Sequence, residues 1–139
     1  MVLASELSPA ALIGSLEAGR FYSSSGVMLE KIEATAKSIA ITVRPDADAT
    51  YTIDFIGTRK NFDPKSEPVR DKNGQELNVT RKYSDTIGAV LKTVSGATAK
   101  YDFSGDELYV RARITSSRNH PNPSTIGEPE QAWTQPVRP

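Results

Sequence analysis

The sequence predicts a mostly β fold: an antiparallel β-sandwich of about seven strands with one short N-terminal helix. Apolar residues alternate with period two over several short segments, the signature of strands with one buried face. Gly, Pro, Asn and Asp clusters separate those segments. A single stretch near the start carries helix start and stop signals instead.

The helix comes first. Ser8 is an N-cap residue and Pro9 suits the first helical position, where its missing N–H costs nothing. Leu12 and Leu16 then share a face, and Gly19 is suited to the position after the last turn. At about three turns the helix is marginal alone and needs a packing partner.

Beyond Gly19 the period changes. Val27 to Ala34 reads as a strand. Ile39, Ile41 and Val43 alternate with smaller or polar residues, as do Tyr51, Ile53 and Phe55. Residues Gly57 to Gln75 are polar, with Pro64 and Pro68, and read as a long loop that includes the tight-turn signal Asn73-Gly74. Leu77 to Tyr83 and Ile87 to Val94 are weaker strands. Ala99, Tyr101 and Phe103, then Ser104-Gly105-Asp106, then Leu108, Val110, Ala112 and Ile114 read as a hairpin, with Tyr109, Arg111, Arg113 and Thr115 on its wet face. Ser116 to Glu130 reads as a loop. Ala132 to Val137 reads as a last short strand, with Pro136 placing it at an edge.

Composition narrows the function classes. The 139 residues carry 17 Lys and Arg against 17 Asp and Glu, so the basic footprint of a nucleic-acid binder is missing. With no cysteine there is no disulfide, thiolate nucleophile or Cys-based zinc site. No apolar run has the length of a membrane span, and residues 1–6 lack the regions of a signal peptide. The chain therefore reads as soluble, with neither nucleic acid nor membrane as partner.

Few residues invite chemistry. His120 is the sole histidine and lies in Asn119-His120-Pro121-Asn122-Pro123. As a general base it needs partners, and Ser116, Ser117 and Ser124 are near in sequence without a nucleophile elbow around them. The bland reading is a loop-structuring histidine. Asp46, Asp48 and Thr50 begin like a calcium loop, but the required Gly and Glu positions hold Tyr51 and Gly57, so a turn is the better account. Asn78-Val79-Thr80 matches a glycosylation sequon, which acts only in a glycosylating context. Arg111, Arg113 and Arg118 form a basic stripe, suited to an anion or to pairing with neighbours such as Asp102 and Asp106. Trp133 offers a ring for stacking on a sugar, or an anchor holding the last strand to the core, which is the commoner use.

Two segments carry a family resemblance. One is Leu16-Glu17-Ala18-Gly19-Arg20-Phe21-Tyr22 through Val27. The other runs from Gly105-Asp106-Glu107-Leu108-Tyr109-Val110-Arg111-Ala112-Arg113 through His120-Pro121-Asn122-Pro123 to Ala132-Trp133-Thr134-Gln135-Pro136. Together with Thr50 to Thr58 they resemble the C-terminal part of bacterial proteins of the PHP (polymerase and histidinol phosphatase) superfamily of metal-dependent phosphoesterases. The resemblance covers nearly the whole chain. It implies that residues 1–26 are a terminal barrel helix and its exit, and that residues 27–139 are a β-sandwich accessory domain.

That family binds metal ions through a His-x-His pair and further histidines and acids, and one histidine cannot supply such a set. No catalytic, cofactor-binding or metal-binding residue carries over. Divalent metal ions are implied only for a catalytic domain outside this chain. The resemblance thus implies a non-catalytic accessory domain whose partner is that catalytic domain, or a second copy met through the helix, with Leu12, Ile13 and Leu16 as contact residues. The alternatives are an independent sandwich that binds carbohydrate or another ligand through Arg111, Arg113 or Trp133, and a hydrolase built on His120.

Overall fold

A computed structural model describes residues 1–139. The helix forms where its signals place it. Ser8 accepts a hydrogen bond from the Ala11 N–H, Pro9 opens α1 (Pro9–Glu17), and Gly19 ends it at φ +68°. Ten strands follow, rather than about seven: β1 (Tyr22–Ser24), β2 (Leu29–Ala34), β3 (Ser38–Val43), β4 (Tyr51–Arg59), β5 (Ser66–Arg70), β6 (Glu76–Tyr83), β7 (Ala89–Ser95), β8 (Thr98–Asp102), β9 (Glu107–Asn119) and β10 (Pro129–Thr134). The strands the sequence does not single out are β1, in the exit segment after the helix, and β5, within the stretch read as a long loop.

Three antiparallel sheets result. The largest has the order β1-β10-β9-β4-β7, the second β2-β3-β8, and the third is the pair β5-β6. The first two enclose one core. Leu29, Ile39, Ile41, Val43 and Tyr101 come from the three-stranded sheet; Tyr22, Tyr51, Ile53, Phe55, Val110, Ala112, Ile114 and Ala132 come from the five-stranded sheet. Phe55 meets Tyr101 across the layers with ring centroids 5.6 Å apart, and the Tyr22 hydroxyl accepts a hydrogen bond from the Leu29 N–H at 3.0 Å. Tyr22 and β1 therefore complete the sandwich from within residues 1–26.

The segment Ala99 to Ile114 is not a hairpin. β8 pairs with β3, whereas β9 pairs with β4 and β10, so Ser104-Gly105-Asp106 carries the chain from one sheet to the other. The inward face also shifts at this crossing. A register irregularity opposite Thr58 and Arg59 leaves Leu108 exposed and buries Glu107, at 2% accessibility, before the alternation resumes with Val110. Glu107 accepts hydrogen bonds from the Tyr101 hydroxyl (2.7 Å), the Ser104 N–H (3.0 Å) and the Gly105 N–H (3.0 Å), and shares the Ser104 hydroxyl with Asp106. Burial pushes its carboxyl up. The hydrogen bonds from Ser104 and Tyr101 outweigh burial and bring it down to about 2.

The stretch from Gly57 to Gln75 contains the end of β4 and all of β5. Gly57 has to be glycine, since a Cβ there would meet the Tyr109 carbonyl oxygen at 2.4 Å as β9 passes. Pro68 sits in β5 because that strand belongs to a two-stranded arm rather than to a central sheet position. The arm is an excursion between β4 and β7, and every β6 residue is exposed. Its turn is the expected one: Asp71 Oδ1 accepts from the N–H groups of Asn73 and Gln75, and Gly74 has φ +83°. Likewise β9 runs through Ser116 to Asn119, and β10 begins at Pro129 and ends at Thr134, so Ser116 to Glu130 is only partly loop. Val137 is held by a single bridge to Val110.

Two outcomes follow for stability. Phe55→Ala should lower the unfolding free energy by about 3–5 kcal/mol, and Val79→Ala on the arm, 73% exposed, by less than about 0.5 kcal/mol, as read from urea titrations. The folded value of Glu107 lies below its ordinary 4.5, so its contribution is complete above that pH and fades as pH falls toward 2. Between pH 7 and pH 3 the wild type should lose about 2 kcal/mol more stability than Glu107→Gln. Parallel losses would contradict the role given to this carboxylate.

Candidate functional site

The outer face of the five-stranded sheet assembles most of the candidate polar residues. Strand alternation sends Val110, Ala112 and Ile114 inward, so Tyr109, Arg111, Arg113 and Thr115 face outward, as the sequence predicts. The register then builds a row across all five strands: Ser23, Trp133, Arg113, Asp54 and Thr93. Trp133 is half-buried on this outer face, while its neighbours Ala132 and Thr134 point inward. It does not anchor β10 to the core. Its indole N–H donates to Gln131 Oε1 at 3.4 Å, and the guanidinium carbons of Arg111 and Arg113 lie 4.6 and 5.4 Å from its ring centroid.

The arginines of the stripe differ in their partners. Arg113 donates to Asp54 Oδ2 at 2.7 Å, and Thr93 donates to Asp54 Oδ1 at 2.6 Å. Burial raises the Asp54 carboxyl, but these hydrogen bonds and the Arg113 charge hold it below its usual range. Arg118 pairs with Asp46. Neither acid is one the sequence suggests: Asp102 pairs with Lys100 and Asp106 with Arg59. Arg111 pairs with no carboxylate, and its buried Nε has no hydrogen-bond acceptor. Asp54 and Thr93 escape sequence reading because an alternating Asp on a strand looks like any solvated position until β7 and β9 flank it.

The helix forms a second candidate surface. Its one fully buried side chain is Ser15, which donates to the Leu3 carbonyl at 2.9 Å and accepts from the Arg20 guanidinium at 3.3 Å. Residues 1–3 run antiparallel to 20–22, through the bonds Leu3 N–H to Arg20 O and Tyr22 N–H to Met1 O. Of the predicted contact residues, Leu12 is half-buried, while Ile13 is 55% and Leu16 is 47% exposed. Met1, Val2, Leu3 and Leu7 add further exposed apolar surface in the same terminal segment, Leu7 at 93%.

His120 lies apart from both, in the β9–β10 loop. Its backbone N–H donates to the Glu128 carbonyl, and its Nδ1 accepts from the Asn122 N–H at 3.2 Å. No serine, aspartate or glutamate side chain hydrogen-bonds to the imidazole. Ser124 instead donates its hydroxyl and its N–H to Glu128, which holds that carboxyl below its ordinary value. The histidine organises a Pro-rich loop, which is the bland reading of it. No helix is long and apolar enough to cross a membrane. Comparison with protein-family models, curated proteins and solved structures returns no match.

The Arg113–Asp54 pair on this face and the Arg118–Asp46 pair, which lies off it at the β3–β4 loop, should separate cleanly in a mutational test. Asp54→Ala leaves a half-buried guanidinium without its acceptor and should cost about 1–3 kcal/mol. Arg118→Ala opens an exposed pair and should cost less than about 1 kcal/mol. Chemical denaturation of both variants at one pH measures the difference.

Proposed function

We propose that this chain is a non-catalytic accessory β-sandwich of a PHP-type phosphoesterase-like protein, and that it docks on the catalytic barrel of that protein through the α1 surface. The observation that carries the reading is the inverted helix: α1 buries a serine against its own protein and turns Ile13 and Leu16 outward, beside exposed Met1, Val2, Leu3 and Leu7. A solvent-facing helix normally does the reverse. An apolar patch of this kind marks an interaction surface. The resemblance of residues 16–27 and 105–136 to the tail of such proteins supplies the occupant.

Two alternatives are less well supported. Sugar stacking on Trp133 has to compete with Arg111, whose guanidinium already lies over the ring. Hydrolysis by His120 lacks an orienting or nucleophilic side chain bonded to the imidazole.

An immunoblot of extracts from the source organism, with an antibody to this domain, tests the reading directly. A band several-fold larger than 15.1 kDa is expected, and a band at that mass overturns it. In the isolated chain the same surface should drive self-association at high concentration. Ile13→Asp with Leu16→Asp should abolish that association in sedimentation velocity while leaving the melting temperature unchanged.

A further inference from the structure

At the end of the outer face where Arg111 stands, the start of β9 and residues 136–139 frame a cleft of about 730 Å³. That size suits a small-molecule site. Three cations line it: Lys60, Arg111 and Arg138. The acidic side chain among the lining residues is Glu107, whose oxygens are already committed to Tyr101, Ser104 and Gly105. None of the three cations forms an ion pair within the chain, in contrast to Arg59, Arg70, Arg113 and Arg118, which all do. Lys60 donates to the Gly105 carbonyl at 2.9 Å, and the buried Nε of Arg111 has no acceptor at all. That Nε is closed to solvent, so the terminal nitrogens are the part of the Arg111 guanidinium open to a ligand, and they have no partner within the chain. Leu108 and Tyr109 supply apolar surface on the same wall.

We propose that this cleft binds a small organic phosphate, with Arg111 and Arg138 taking the phosphate oxygens and Leu108 and Tyr109 taking the organic body. Among the lining side chains three cations face one carboxylate whose oxygens are already hydrogen-bonded, which favours an anionic ligand. A phosphate monoester carries about −1.5 to −2 at neutral pH and brings more charge to such a lining than a monocarboxylate does. A planar guanidinium fork is suited to phosphate, and stacking on Trp133 limits the freedom of the Arg111 head before any ligand arrives.

Trp133 is the sole tryptophan, and its ring centroid lies 4.6 Å from the Arg111 guanidinium carbon, so its fluorescence reports on the site. The test titrates phenyl phosphate at low salt, reading Trp133 emission and the Arg111 Nε–H resonance. A saturable response of both is expected, with competition by inorganic phosphate and no response to phenol. Arg138→Gln alters an exposed residue, so folding should be preserved, and it should weaken binding roughly tenfold or more. Arg111→Gln should abolish binding. The proposal is overturned if the Arg111 resonance does not move at about 10 mM phenyl phosphate, if phenol gives the same response, or if Arg138→Gln binds within about twofold of the wild type.

Discussion

The sandwich depends on a buried carboxylate at the point where the chain changes sheets. Glu107 opens β9 of the large sheet, and its hydrogen bonds gather donors from β8 of the small sheet and from the turn between the two strands. A buried charge is unfavourable unless its hydrogen-bonding capacity is met. Here Tyr101, Ser104 and Gly105 meet it, and in doing so they fix the path of the turn. The Tyr101 ring then packs on Phe55, so one side chain joins the polar clamp to the apolar core. Burial and the hydrogen bond to ionised Glu107 both push the Tyr101 hydroxyl up, which keeps it a donor.

This clamp also sets the outer face. Because Glu107 takes an inward position and Leu108 is left outside, the alternation of β9 resumes with Val110 inward and Arg111 and Arg113 outward. The long pairing of β9 with β4 then delivers Asp54 beside Arg113, and its pairing with β10 delivers Trp133. The candidate site thus depends on the same crossing as the core. The outer face is not a plain solvated surface. Asp54, Ile56 and Thr58 are buried there, and Thr58 links the Tyr109 hydroxyl to the Gly88 N–H.

Local signals were legible and non-local pairings were not. Ser8, Pro9 and Gly19 mark both ends of α1, the alternation of Ile39 to Val43 and Tyr51 to Phe55 marks two core strands, and Asp71 to Gly74 marks its turn. Each of these is settled by residues within a few positions of one another. Ser104-Gly105-Asp106 shows the opposite case: a turn signal states that the chain bends, without stating which sheet the next strand joins. The residues of the outer face were likewise legible one at a time. Arg111, Arg113 and Trp133 stood out by type, but their meeting needs Trp133 opposite Arg113 across a loop of nine residues, from His120 to Glu128. Lys60 and Arg138 carried no signal, because they join Arg111 only through the path of the fold.

Two exposed apolar features compete as docking surfaces, and their surroundings distinguish them. The β5–β6 arm exposes Leu77, Val79 and Tyr83, but Arg81 and Lys82 interrupt them, and Pro68 and a register irregularity disturb its edge. These are devices by which a strand edge avoids pairing with other chains. The α1 end has no such protection. Its helix is nine residues long, too short to be stable by itself, and it is secured to residues 1–3 and 20 largely through Ser15 and backbone hydrogen bonds. Covering Ile13 and Leu16 fully would contribute up to about 1.5–3 kcal/mol for each side chain, somewhat less from their present partial exposure. That gain is large beside the few hydrogen bonds now holding the helix, so α1 gains most from a partner and the arm least.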